Sequence, residues 1–256
     1  MNAFSAGSGG LFCLVSFAYM TMSSTSFFRL LSAQPVQRRT FFRVAGATAA
    51  SSALVLSGCA DDEPAATDPT EQSFTLGTGD TGLLNYAYLL EQLEADFYTR
   101  VVASPPADLA PAELAYLTDL RDHEVIHREF FKAALGTSAI GAATFNFSPF
   151  TLTTRAGVLT AAQTLEDLGV AAYNGAGKLL ADPTLLGLVG KIVSVEARHA
   201  ALVRDLLLPN SFAAAEVVAN DGGAFDGLDK AMSPAQVLAV VNTFLNVTIS
   251  AAGLPS

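Results

Sequence analysis

Two of the chain's three histidines stand three positions after a glutamate: Glu124–His127 in "EVIH" and Glu196–His199 in "EARH". With 24 acidic residues in 256, a given histidine has about a one-in-ten chance of such a neighbour, so the double occurrence is roughly a 3% coincidence. On a helix, a spacing of three places carboxylate and imidazole on one face. Leu117, Leu120, Glu124, His127 and Phe131 form one stripe at spacings of three and four, and Val189, Ile192, Glu196, His199 and Val203 form another. Apolar stripes face a core, and a carboxylate there is costly unless something neutralises it. Two such stripes bring two carboxylates and two imidazoles to one depth, and a pair of divalent metal ions is the simplest compensation.

Two further segments carry a second pattern, Glu followed by Tyr after six residues. One has Leu84, Ala87, Glu91, Glu94 and Tyr98 on a face; the other has Leu159, Ala162, Glu166, Val170 and Tyr173. The order Glu-x6-Tyr, then Glu-x2-His, thus occurs twice. Glu94 lies one turn from Glu91 and also faces inward, as a ligand or as a partner for an arginine; its counterpart is Gly169. Glu91 is the preferred ligand, because Glu166 matches its spacing to tyrosine. His123 is rotated about 100° from Glu124 and reads as a surface or boundary histidine. Asp96, Asp122, Asp167 and Arg128 sit off the stripes and read as solvated.

The elements that must position these residues are four long helices, predicted over 81–104, 110–135, 153–180 and 182–208, each roughly 36–40 Å long at 1.5 Å per residue. Pro111 near one start, Gly136 past one end, and Asp182–Pro183 as cap and first residue are helix-terminus chemistry. Short links join the first pair and the last pair. The connection "GTSAIGAATFNFSPF" is about 15 residues and could stretch roughly 50 Å. Two antiparallel hairpins joined by one long crossover are expected.

These motifs on that connectivity resemble the ferritin-like di-iron carboxylate proteins, an all-α four-helix-bundle family. The resemblance covers about 83–208. It implies Glu91 and Glu166 as terminal ligands, Glu124 and Glu196 as bridges between two metals, and His127 and His199 each on one metal. Tyr98 and Tyr173 would orient carboxylates. Iron or manganese suits this donor set, and zinc could compete. The tail, 209–256, has a Gly/Asp loop and a short helix from Ser233–Pro234 to about Asn246, with Val237, Val240, Val241 and Phe244 facing the bundle. That extension resembles the subgroup that includes desiccation-related proteins.

Charge separates the chain into parts. Four of its 14 basic residues and none of its 24 acidic ones precede Cys59, so the remainder carries a net −14. An acidic body argues against nucleic acid as a partner. The leader, 1–58, resembles a bacterial twin-arginine export signal at Arg38–Arg39, with Phe41 and Phe42 after it and an apolar run from Val44 to Leu56. "LSGC" resembles a lipobox, which makes Cys59 the lipidated first mature residue. Met20 or Met22 serves as well as Met1 as a start. Residues 59–80 read as a disordered spacer, 81–208 as the bundle and 209–256 as an extension docked on it. The expected location is the cell envelope, tethered to a membrane at Cys59. A lipid anchor and spacer fit poorly with a closed cage; the oligomeric state stays open. The resemblance implies iron oxidation or peroxide handling, with O2 or peroxide as substrate. The alternative is a non-catalytic stress or desiccation-related protein with a vestigial or structural metal site.

Overall fold

The computed structural model describes residues 75–219, 222–224 and 226–256. The leader with Arg38 and Arg39, Cys59 and most of the spacer lie outside the described residues. Helix α1 spans Gly79–Ala103, α2 Pro111–Leu135, α3 Arg155–Gly177, α4 Pro183–Leu207 and the short α5 Pro234–Val241. Two 3₁₀ turns, Gly136–Ser138 and Asn242–Phe244, follow α2 and α5. Among the described residues there is no strand beyond two isolated bridges, and no helix is long and apolar enough to cross a membrane. The molecule is an all-α four-helix bundle with a helical extension.

The termini form where cap chemistry directs them. The Asp182 carboxylate accepts from Thr184 N–H at 2.7 Å, and Ser233 and Gln236 cap α5 reciprocally. At α2 the cap residue is Ala110, which has no side-chain acceptor, so Glu113 takes the Ala110 N–H at 3.0 Å. The spacer ends earlier than its polar composition indicates. Leu76 is buried in the core and α1 begins at Gly79, so residues 76–80 belong to the fold. Asp80 fixes that end by accepting from the N–H groups of Ala181 and Asp182 at 2.8 and 2.9 Å.

The helices pack as two hairpins, α1 with α2 and α3 with α4. Arg155 at the start of α3 pairs with Glu113 at the start of α2 and donates to Leu206 O at the end of α4. The beginnings of α2 and α3 therefore share one end of the bundle, and the crossover must return along its whole length. It does so along α1. Asn85 accepts from Ile140 N–H and donates to Ser138 O, Gln92 accepts from Ala143 N–H, and Arg100 donates to Phe145 O. These rungs recur every two turns on one face, so α1 is covered nearly all round.

The extension closes the remaining side. Met232 N–H donates to Ala171 O at 2.9 Å, and a Cβ on Gly175 would fall within 1.7 Å of Met232 O. Only glycine admits so close a backbone approach. Val237, Val241 and Phe244 are buried, and Phe244 stacks on Phe150 of the crossover at 5.5 Å. Asp167 departs from its solvated reading: it forms a two-pronged pair with buried Arg204 at 2.7 and 2.8 Å, which satisfies that guanidinium.

Candidate metal centre

Each of the four long helices delivers one glutamate to the middle of the bundle, Glu91, Glu124, Glu166 and Glu196, and all four are wholly buried. Glu94 and His199 are buried as well, and His127 is slightly exposed. The histidines reach across to the opposite pair. His127 Nδ1 lies 2.7 Å from Glu196 and 3.6 Å from both Glu91 and Glu124. His199 Nδ1 lies 2.7 Å from Glu124, 3.5 Å from Glu196 and 3.7 Å from Glu166. Two groups result, Glu91–Glu124–His127–Glu196 and Glu124–Glu166–Glu196–His199, with one ligand atom from each residue falling within 4.8 Å of the others. Glu124 and Glu196 belong to both.

The tyrosines cross the same way. Tyr98 on α1 donates to Glu166 on α3 at 2.6 Å, and Tyr173 on α3 donates to Glu91 on α1. Each hydroxyl uses one carboxylate oxygen and leaves the other aimed inward. Glu91 Oε2, Glu166 Oε2, both oxygens of Glu124 and Glu196, and Nδ1 of His127 and His199 are buried without a hydrogen bond. The 2.7 Å approaches have ion-pair distances, but the groups are not aligned on one another as hydrogen bonds. Lone pairs that converge without meeting are the arrangement a cation requires, and leaving so many buried polar atoms unpaired would otherwise be costly.

Electrostatics agree with that reading. Burial pushes Glu91 up to about 8, aided by Glu196 and opposed by His127. Burial likewise holds Glu166 and Glu94 well above the usual carboxylate range. Burial also acts on Glu124, but contacts with His127 and His199 outweigh it and hold Glu124 down to about 2. His199 is raised to about 11 against its own burial by Glu124 and Glu196, and His127 is raised further in the same way. Without a cation the cluster thus carries protons on its imidazoles. Two divalent ions would displace them, and four ionised carboxylates would balance the four positive charges. Oxygen-rich donors with one imidazole per position suit iron, manganese or zinc. The residues present fit a two-metal site.

Glu94 lies outside both groups. Its room comes from Gly169, where a Cβ would stand 2.8 Å from Glu94 Oε1. The larger side chain on α1 fills the space that the missing one on α3 leaves. His123 takes the boundary position expected of it and also reaches the cluster. It is half-buried at the centre, with Nδ1 2.8 Å from His199 Nε2. A 100° rotation removes it from the α1-facing side of α2 but turns it toward α4. No curated protein matches the sequence. The family described as a ferritin-like domain matches residues 79–209, half of the chain. That span opens with α1 and closes just past α4, so it takes in every residue of the cluster, and the chain belongs to the ferritin-like family.

Proposed function

We propose that this is a cell-envelope protein that holds two metal ions, iron first among them, and uses them in iron oxidation or in the removal of peroxide. The observation that carries the reading is the set of unpaired, buried donor atoms on Glu91, Glu124, His127, Glu166, Glu196 and His199. Glu91 and Glu166 would each hold one ion, Glu124 and Glu196 both, and the histidines one each. Bound there, an iron pair supplies two electrons for reduction of O2 or peroxide in one encounter. The chain's own part is positional. Tyr98 and Tyr173 hold the outer oxygens of Glu166 and Glu91, packed helices exclude bulk water, and burial beside the four ligand carboxylates holds the Glu94 carboxyl well above the usual carboxylate range.

The envelope assignment rests on Arg38–Arg39, the apolar run and Cys59 in the sequence. Labelled palmitate incorporated by the wild type and lost in Cys59→Ala tests it. Metal content per chain, in protein expressed with its own leader, tests the site. About two iron or manganese ions per chain, lost in Glu124→Ala/Glu196→Ala, are expected, followed by peroxide or O2 consumption on Fe(II) addition. A folded protein with less than about 0.2 metal per chain that takes up no added Fe(II) overturns the reading and favours a non-catalytic stress protein.

A further inference from the structure

His123 has a role that follows from which atoms of His199 are already committed. His199 Nδ1 points into the carboxylates, 2.7 Å from Glu124. Its other nitrogen, Nε2, lies 2.8 Å from His123 Nδ1. The ring centroids are 5.1 Å apart and the ring planes differ by 23°. With that N···N distance, the imidazoles meet end to end in nearly one plane, the geometry of an N–H···N hydrogen bond and not of face-to-face stacking. A metal on Nδ1 leaves Nε2 as the protonated nitrogen. His199 therefore donates, and His123 accepts with its Nδ1 lone pair and carries its own proton on Nε2.

An acceptor behind a ligating imidazole fixes the ring's orientation and raises its basicity. His127, the imidazole of the other Glu-x-x-His, has no equivalent device on α4. The residue before Glu124 is His123, but the residue before Glu196 is Val195, whose side chain cannot accept a hydrogen bond. We propose that His123 is a positioning residue for His199 and makes the two metal positions unequal, the one held by His199 being the tighter. The proposal rests on the two-metal reading of the site, and it adds a residue that neither the ligand set nor the family match identifies.

The test uses the full chain, Co(II) as probe, and two variants, His123→Leu and His123→Asn. Asparagine places Oδ1 near the position of Nδ1 and can still accept; leucine cannot. Titration of metal-free wild type, followed by absorption and calorimetry, should show two unequal steps. In His123→Leu the tighter step should weaken roughly 10–100-fold while the weaker changes by less than about threefold; His123→Asn should keep both within about threefold of wild type. A leucine variant that retains the tight step, or that loses both steps equally without rescue by asparagine, overturns the proposal. Circular dichroism checks that the variants fold. The metal-free proteins, labelled with ¹⁵N-histidine, provide a second readout. His199 Nε2–H should be protected from solvent exchange in wild type and His123→Asn and unprotected in His123→Leu. If wild type binds no Co(II), the metal reading fails, while this proton still decides the positioning role: no difference between wild type and His123→Leu overturns it.

Discussion

The two hairpins present the same ligands and different surroundings. α1–α2 contributes Glu91, Glu124 and His127; α3–α4 contributes Glu166, Glu196 and His199. Each tyrosine serves the other hairpin's terminal glutamate. Two of the differences between the halves bear on the cluster: Glu94 against Gly169, and His123 against Val195. Both additions lie in the first hairpin. What touches the cluster directly is held in common, while what stands one residue or one turn away is free to differ. A near-symmetric centre can in this way acquire two inequivalent positions without a change of ligand.

The largest effects should come from the residues the halves share. Glu124→Ala or Glu196→Ala alone should abolish binding of both ions, because each belongs to both groups, and elemental analysis reads the loss. A variant that keeps one ion would break the symmetry at its centre. Removing both buried carboxylates should also destabilise the metal-free bundle, by about 3–5 kcal/mol, because His127 and His199 lose the carboxylates they face at 2.7 Å; urea unfolding measures it.

The pH dependence comes next. Glu91 is raised from 4.5 to about 8 and His199 from 6.5 to about 11. A group raised on folding contributes stability below its unfolded pKa and loses it as pH rises through the folded one. The metal-free protein should therefore lose Tm between pH 6 and pH 9. Metal should reverse this trend, since it binds the deprotonated ligands and competes with their protons. A Tm that rises with pH in both forms would show that the imidazoles are not charged in the metal-free chain.

Smaller effects sharpen the comparison. Tyr98→Phe and Tyr173→Phe each leave one buried carboxylate oxygen unpaired and should cost similar amounts, about 1.5–3 kcal/mol by chemical denaturation. A clear inequality would mean that the terminal glutamates are not equivalent. Gly169→Ala gains helix propensity but pushes on Glu94 Oε1, for a net loss of about 1 kcal/mol. Glu94→Ala in the same chain should relieve part of that cost, a coupling that a double-mutant cycle reads.

Much of this was legible in the sequence, for identifiable reasons. Pro111, Gly136 and Asp182–Pro183 mark helix ends by local chemistry alone. The stripes through Glu124 and Glu196 betray the cluster because a carboxylate interrupts an apolar face. Three features were not legible, and each depends on packing between distant segments. His123 lies off the stripe that faces α1, but α4 approaches the other flank of α2. Asp167 is half-buried and pairs with Arg204, 37 residues on and on another helix. Leu76 sits in a polar stretch, and its burial depends on the core it joins.

The crossover's rungs have a kinetic consequence. Asn85, Gln92 and Arg100 meet partners 45–55 residues away, whereas each hairpin closes through a short link. Local contacts form sooner than distant ones, so the hairpins should assemble first and dock late, when the strap settles along α1. Neither hairpin alone holds more than three of the six donors. The appearance of a high-affinity metal site during refolding would therefore time the docking of the halves, separately from the formation of their helices.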